Sequence, residues 1–507
     1  MAVPGMATSQ NDLTPVLAQY LDRHLVFPLV EFMEGHPSME GQFDVKDLLR
    51  AKLDLLEKTN MVDFAMDIYK QLHDGAEPPQ EMLKHRGKVL VVLQTLQEEC
   101  EPLFRVMGDD ALVQELRDSN QFNMETLGER YGITRDVLES LYDYAKFQFD
   151  VGDYLSAADY LSVYRILSNG VNPEREFYAL WGKLAASILN GEWDLALEDI
   201  AAIREVIDGQ AGTRPSSDLA LNPLQILQQR TWLIHWSLFV FFGHPEGPSQ
   251  MIDMFLSDAY LNTIQTNCPH ILRYLTAVVI VNKGRRGILK DLIRVVKEEL
   301  HNYQDPITQF VECLYVNFDF EGAQDTLKRC EETLKHDYFL VGVVDEFVEN
   351  ARLTIFETYC RIHQCIDIDM LASKLNMDRE SAERWVVNLV RNAKLDAKID
   401  SEKNQVLMRM STPSVYEQVT DLTKNLTLRT NGLVNGYDRR DGGYGDNQRG
   451  GKQWRGGSRR AGAAVAAAVV AVEEAGATTA STASGRARTR WQEQFPTYSS
   501  VQYIPRS

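Results

Sequence analysis

The sequence predicts a mainly α-helical protein: a right-handed solenoid of tetratricopeptide-like helical hairpins, then a winged helix, a C-terminal helix and a disordered tail. Three observations support this fold class. Apolar residues recur at helical spacing from residue 12 to about residue 350, a turn motif returns within that region, and the pattern changes near residue 351. Strict alternation of apolar and polar residues is rare before residue 350, so a large sheet is not predicted.

The first helices follow from the spacing of their apolar residues. Leu13 to Phe32 begins after a capping signal, and Asp44 to Leu56 repeats the same spacing. Gln80 to Cys100 is the next predicted helix, and it ends before a turn at Pro102 because proline removes a backbone donor. Thr231 to Phe242 is apolar on every side, which favours a buried central helix over an aromatic ligand pocket.

A weak internal repeat marks the helical hairpins. Each copy has a short turn, an acidic residue, an aromatic residue and then a small residue where the next helix crosses closely. The copies end at Ala157, Ala196 and Ala323, with a fainter copy at Ala65. Such a pattern is typical of a tetratricopeptide-like solenoid, and an irregular helical bundle is the alternative.

The pattern changes after residue 350, where three helices and a hairpin follow within 60 residues. The first two helices span 351–363 and 369–375, and the third begins at the cap residue Asp378. The stretches 395–399 and 405–410 alternate in polarity and form the two strands of the hairpin. Together these elements predict a winged helix.

The predicted organisation has six segments. They are a flexible N-terminus at 1–11, N-terminal helical repeats at 12–220, further helices at 221–350, the winged helix at 351–410, the C-terminal helix at 411–430 and the tail at 431–507. The tail contains 12 of the 32 glycines and few large apolar side chains. Burial of apolar surface therefore cannot offset the entropy of ordering it, and we predict that it is disordered.

The net charge of −19 is unevenly spread: residues 431–507 carry +5 and the preceding residues carry −24. An acidic body disfavours broad nonspecific binding to nucleic acid, because such binding depends on clusters of cations. Any contact with RNA is therefore expected from a local patch or from the tail.

Catalytic patterns are absent from the sequence. There is no His-Glu-x-x-His, phosphate loop, Gly-x-Ser-x-Gly or dinucleotide fingerprint, and the six cysteines include no Cys-x-x-Cys pair. We therefore predict no enzyme activity, no cofactor and no metal. The start lacks a signal-peptide pattern, and the longest apolar stretch is half as long as a membrane span, so the prediction is a cytoplasmic protein without membrane contact.

Several longer strings resemble one known family. They are Leu21 to Leu29, Gln229 to Trp236, Cys268 to Tyr274, Glu312 to Phe320, Cys360 to Cys365 and Leu395 to Asp400. In this order they closely resemble a family of PCI-domain proteins, the e-type subunits of eukaryotic translation initiation factor 3. The resemblance covers about residues 12 to 430, and it would assign 221–410 to the PCI domain.

The resemblance implies a noncatalytic scaffold. Proteins of this class pack their winged helices edge to edge and gather their C-terminal helices into a shared bundle. The implied partners are the other subunits of initiation factor 3, including c, d and l, together with the small ribosomal subunit and the scaffold of the cap-binding complex. The implied roles are mRNA recruitment and formation of the preinitiation complex, and some family members are also found in the nucleus.

Two sets of candidate residues follow. The third winged-unit helix has mixed charges, which favours a protein-docking face over a DNA-reading one. The candidate docking residues are Arg384, Trp385, Asn388 and Arg391 on this helix and Val415, Val419, Leu422 and Leu426 on the C-terminal helix. The candidate RNA contacts are Arg285 and Arg286 in a basic stretch and Arg449 and Arg455 in the tail.

Two alternative functions remain open from the sequence. One is membership of another PCI assembly, the proteasome lid or the signalosome, which shares the fold and differs in its partners. The other is a winged-helix regulator that binds nucleic acid, against which the acidic body argues.

Overall fold

The structure is a computed structural model that describes residues 11–35, 45–73, 75–109, 122–168, 172–210, 222–282 and 286–363, several short stretches between 365 and 408, and residues 415–441. The described residues divide into two compact units, one up to Ile355 and one from Phe356. The predicted flexible N-terminus lies outside the described residues except for Asn11, and so does the tail beyond Asp441.

Helices dominate the described chain. They are α1 (Thr14–Leu17), α2 (Arg23–Gly35), α3 (Val45–Leu56), α4 (Val62–Leu72), α5 (Gln80–Met107), α6 (Met124–Tyr131), α7 (Arg135–Val151), α8 (Tyr154–Ser168), α9 (Pro173–Asn190), α10 (Trp193–Gln210), α11 (Pro223–Gly243), α12 (Gly247–Phe255), α13 (Asp258–Asn267), α14 (Leu272–Val281), α15 (Arg286–Glu299), α16 (Pro306–Tyr315), α17 (Phe320–Lys335), α18 (Val344–Ile362) and α19 (Val415–Asp441). The strands are β1 (Cys365–Asp367), β2 (Ala397–Asp400) and β3 (Gln405–Met408). The mainly α-helical prediction is confirmed.

Successive helices of the first unit pack on one another as hairpins, including α7 on α8, α8 on α9, α9 on α10 and α16 on α17. Each alanine of the sequence repeat lies on a different helix, α4, α8, α10 or α17. Ala157, Ala196 and Ala323 are fully buried, and Ala65 is almost so. A methyl side chain lets two helix backbones approach closely, which explains why each copy of the repeat has a small residue there.

Helix α11 forms the centre of the largest hydrophobic core, as its apolar sequence predicts. Leu233, Ile234, Leu238 and Val240 are fully buried although they point to different sides of the helix. The helix starts with a capping box at Asn222, whose backbone N–H donates to the side chain of Gln225 at 2.9 Å.

Several predicted helix boundaries are wrong, among them the start predicted at residue 351, because α18 already begins at Val344. The stretch from Leu13 to Phe32 is two helices, because the side chain of Asp22 accepts a hydrogen bond from the backbone of His24 and starts α2 afresh. Helix α5 continues through Pro102. The carbonyl that this proline leaves without a donor belongs to Glu98, an exposed residue, so water can satisfy it.

The last helix is also longer than predicted. Helix α19 runs to Asp441 and not to Thr430, so 431–441 does not belong to a disordered tail. Gly432 and Gly436 lie within it, and each glycine lowers helix stability by only about 1 kcal/mol, which a run of 27 residues tolerates.

The second unit contains a three-stranded antiparallel sheet in the order β1-β3-β2. Ile366 of β1 pairs with Val406 of β3, and both side chains are fully buried. The predicted hairpin is present as β2 and β3. The predicted helix 369–375 lies outside the described residues, and of the third helix only 383–384, 387–388 and 391 are described, all of them helical.

Candidate partner-docking surface

The guanidinium of Arg273 is among the most deeply buried charges of the first unit, with 2% of the residue exposed. It donates to the carboxylate of Asp337 at 3.2 Å, to the backbone carbonyl of Asn11 at 2.7 Å and to the carboxylate of Asp305. The hydroxyl of Tyr274 donates to the same oxygen of Asp337 at 3.0 Å. The arginine therefore joins the start of α1, the N-terminus of α16 and the turn after α17.

Nearby carboxylates keep Arg273 charged although it is buried. Burial by itself lowers the pKa of Arg273, but the carboxylates of Asp305 and Asp337 outweigh burial and raise that pKa above its ordinary value. Burial raises the pKa of Asp337, and the guanidinium of Arg273 opposes the rise. A cavity of about 200 Å³ adjoins the cluster and is lined in part by Asp12 and Arg329. Because its charges already pair with each other, we assign the cluster a structural role.

Two histidines form a second buried polar cluster. His235 Nδ1 lies 2.7 Å from the carbonyl of Thr231, which can only accept, so this nitrogen carries a proton. His235 Nε2 lies 2.8 Å from His270 Nε2 and therefore accepts from it. The ring of Tyr20 stacks on His235 at 4.2 Å. Burial lowers the pKa of His235 to about 4 and that of His270 to about 3, so both rings are neutral near pH 7.

Neither cluster resembles a catalytic or metal centre. Within the ranges that the structure describes, no three His, Cys, Asp or Glu side chains come close enough together to hold a metal ion. Cys360 is buried whereas Cys365 is exposed. Among the described helices, none combines the length and the apolarity needed to cross a membrane.

Helix α19 has the most exposed apolar surface of the second unit, as far as the structure describes that unit. The four predicted docking residues are all exposed: Val415 by 73%, Val419 by 56%, Leu422 by 62% and Leu426 by 61%. Their spacing of four, three and four residues places them on one face of the helix. Leu433 continues the same row one heptad after Leu426 and is 66% exposed. We call these five residues the α19 seam.

Leu433 is not among the predicted docking residues because the sequence predicts that the helix ends at Thr430, whereas it ends at Asp441. The seven-residue interval from Leu426 would have identified it, since that interval returns to the same face of a helix. Other exposed apolar residues of α19 lie away from the seam. They are Tyr416, Leu428 and Val434.

The winged-unit candidates are only partly described. Arg384, Asn388 and Arg391 are helical and exposed, and their spacing of four and three residues places them on one face. Trp385 lies outside the described residues. In the sheet, β1 and β2 are the two edge strands.

Most of the candidate RNA contacts have no described position. Arg285, Arg449 and Arg455 lie outside the described residues, and Arg286 is the first residue of α15. The described part of the same basic stretch has Lys290, exposed on α15.

Comparison with known proteins gives two matching family models and a set of relatives. The eIF3 subunit 6 N terminal domain matches residues 12–148, and the PCI domain matches residues 327–410. The chain is 48% identical over 440 residues to the E subunit of eukaryotic translation initiation factor 3 from Arabidopsis thaliana, which covers 84% of this chain and 97% of that protein. The corresponding protein of Bombyx mori is 46% identical over 443 residues, covering 86% of this chain and 97% of the relative. That of Culex quinquefasciatus is 46% identical over 429 residues, with 84% and 95% covered.

Proposed function

Because the chain belongs to the family of the E subunit of eukaryotic translation initiation factor 3, we propose that it is a noncatalytic scaffold within that complex. As a member of this family it is a component of translation initiation factor 3 and acts in translation initiation. The proposal concerns how it does so: by holding other subunits through helical and winged-helix surfaces.

The single observation that supports this role best is the α19 seam. Five large apolar side chains lie in a row along a helix of 27 residues, which is about 40 Å long, and each is more than half exposed. Alternating intervals of four and three residues are the spacing of a coiled-coil seam. A row of this kind in water favours association with other helices, because burying it removes apolar surface from solvent.

The proposal therefore assigns α19 to a helical bundle shared with other subunits. The face of Arg384, Asn388 and Arg391 is proposed as a second docking surface of the winged unit. Following the family, we propose that the partners include subunits c, d and l, the small ribosomal subunit and the cap-binding scaffold. The protein would then support ribosome binding, mRNA recruitment and preinitiation-complex formation in the cytoplasm, with a nuclear pool.

The alternatives are weaker. Relatives named as initiation factor 3 subunits at 44–48% identity favour this complex over the proteasome lid and the signalosome. Reading of nucleic acid by the winged unit is disfavoured because the charge of its third helix is mixed: Glu383, Arg384 and Arg391 together carry a net of only +1.

A pair of charge substitutions in the seam tests the proposal. Val419→Asp with Leu422→Asp places two carboxylates where a partner helix would have to bury them, so the variant should sediment apart from the complex. Both side chains are exposed, so the chain itself should stay folded, which circular dichroism would check.

Leu428→Asp is the matched control. Leu428 is 69% exposed on the same helix but lies away from the seam, so this variant should assemble normally. Full co-sedimentation of the double variant would show that α19 is not a bundle helix, and loss of assembly in both variants would show that no particular face is used.

A further inference from the structure

Three connections between helices of the first unit share one sequence pattern, and one of them departs from it at its first residue. In each turn a residue with positive φ precedes an acidic residue, and an aromatic residue then begins the next helix. The turns are Gly152-Asp153-Tyr154, Gly191-Glu192-Trp193 and Phe318-Asp319-Phe320. The φ angles of their first residues are +101°, +75° and +53°. Phenylalanine thus occupies the position that glycine holds in the other two turns.

This position disfavours a side chain. In the left-handed region the Cβ atom of an L-residue crowds the backbone, whereas glycine has no Cβ and adopts it freely. Phe318 has the only positive φ of any non-glycine residue in the described part of the chain. The strain is a property of this residue and not of the turn, because the related turns adopt the same backbone region with glycine.

The core of the unit does not explain the phenylalanine. The ring of Phe318 is 54% exposed, while Phe320 and Tyr315 on either side of it are the rings that pack on the hydrophobic core. A bulky residue that is strained and also exposed is best explained by a contact outside the unit, since strained residues concentrate at binding sites.

The surroundings of the ring are acidic. Asp319 and Glu321 are both exposed, and Asp319 accepts hydrogen bonds from the backbone N–H groups of Glu321 and Gly322 at 3.2 and 3.1 Å. Glu312 accepts from the side chain of Asn317 at 3.4 Å. Glu312, Asp319 and Arg329 all lie close enough to Cys313 to affect the pKa of its thiol, and Arg329 is the cation among them. Among these described residues, three carboxylates therefore surround the turn against one guanidinium.

We propose that the turn 316–319 binds an arginine-bearing segment of a partner protein, with a guanidinium stacked on the ring of Phe318 and paired with the neighbouring carboxylates. The face of an aromatic ring attracts a cation, and nearby carboxylates add charge complementarity. Arginine fits better than lysine because its planar group can stack on the ring and donate to a carboxylate at the same time. This proposal does not depend on which complex the chain joins.

Binding of two labelled peptides to the full chain tests the proposal, one of alternating arginine and glycine and one of alternating lysine and glycine. Fluorescence anisotropy should show that Phe318→Gly weakens binding of the arginine peptide about three- to tenfold. Phe318→Trp should tighten it, because the indole ring is the better cation acceptor. The lysine peptide should bind more weakly and respond less to either substitution.

Stability separates binding from a structural role. Phe318→Gly should melt no lower than the unchanged protein, because relief of the left-handed strain offsets the greater freedom of glycine in the unfolded chain. Leu155→Ala is the matched control: Leu155 is 58% exposed just after the related turn at Gly152, and its loss should leave peptide binding unchanged.

Two results would overturn the proposal. One is equal affinity of the unchanged protein and Phe318→Gly for the arginine peptide, because the acidic body alone would then account for binding. The other is a large fall in the melting temperature of Phe318→Gly, because the ring would then serve the fold.

Discussion

His235 and His270 share one hydrogen bond in which His235 Nε2 is the acceptor. His235 cannot become charged without losing this bond, since its Nδ1 already donates to Thr231 and its Nε2 would then carry a proton as well. A charged His270 could still donate to His235, but burial disfavours a charge on that ring. Tyr20 covers the pair from the segment between α1 and α2, so the contact also holds the start of the chain against α11.

This pair should make the fold sensitive to mild acid. In the unfolded chain the pKa of His235 is near 6.5, and in the fold it is about 4, so protons bind the unfolded chain more readily. The contribution of neutral His235 to the free energy of unfolding is therefore present above pH 6.5 and is lost as the pH drops toward 4. By linkage, His235 alone should lower the free energy of unfolding by about 2 kcal/mol at about pH 5.

Urea unfolding at about pH 7.5 and about pH 5 measures this effect. His270→Gln keeps a donor for His235 Nε2 and removes one titrating ring, so its stability should fall less steeply with acid than that of the unchanged protein. A stability that does not change between these pH values would contradict the assignment of two neutral buried rings.

Arg273 presents the opposite case, a buried charge that is paired with two carboxylates. Arg273→Met would leave the carboxylates of Asp305 and Asp337 buried without their cation, and such a loss costs about 3 to 5 kcal/mol. Urea unfolding of the variant should show a decrease of this size.

Arg329→Met is the comparison for this prediction. Arg329 is exposed beside the same cavity, so its replacement should change the free energy of unfolding by less than about 0.5 kcal/mol. Similar decreases in the free energy of unfolding of the two variants would mean that the ion pairs of Arg273 do not stabilise the fold.

At the scale of helices and strands, local patterns predicted most of what the structure contains. The turn motif identified the hairpins, and its alanines proved to be buried. The alternation around residues 397–408 identified β2 and β3. Both signals depend on neighbours in sequence, because helix and strand periodicity repeat within a few residues.

Helix ends were predicted less well, and for a physical reason. The sequence favours an end at Pro102 and at Thr430, but propensity is a weak prior. The freed carbonyl at Pro102 belongs to an exposed residue, Glu98, and beyond Thr430 the helix continues through Gly432. The boundary therefore depends on what surrounds the helix, which a local pattern does not contain.

The buried clusters could not be predicted at all. Arg273 contacts Asn11, which is 262 residues away, and Asp337, which is 64 residues away. No periodicity joins such positions, and an arginine between Leu272 and Tyr274 gives no sign of its partners. The α19 seam, in contrast, was largely predicted because all of its members lie on one helix.

At the scale of the whole molecule, charge is divided between two parts of the chain. The residues before 431 carry −24, and those from 431 onward carry +5. The acidic part repels a phosphate backbone, so an RNA contact through the tail has to overcome that repulsion. The tail contains two Arg-Gly-Gly sequences at 449–451 and 455–457, with Tyr444 before the first and Trp454 between the two.

We predict that these sequences give the full chain an affinity for unstructured RNA. Arginines attract the phosphates and aromatic rings stack on the bases, a combination typical of binding to single strands. A chain that ends at Asp441 is the right comparison, because ending it at Thr430 would remove Leu433 from the α19 seam and disturb assembly as well. The shorter chain should enter the complex normally and bind RNA more weakly.

The salt dependence and a matched pair of variants decide whether the effect belongs to these arginines. Affinity that comes from phosphate contacts falls steeply as salt rises, so the difference between the two chains should shrink at high salt. Arg449→Ala with Arg455→Ala should lower the affinity of the full chain, whereas Arg486→Ala with Arg488→Ala removes the same charge outside the Arg-Gly-Gly sequences and should lower it less. Equal affinity of the full chain and the chain ending at Asp441 would exclude an RNA-binding tail, because the acidic remainder would then account for all the binding.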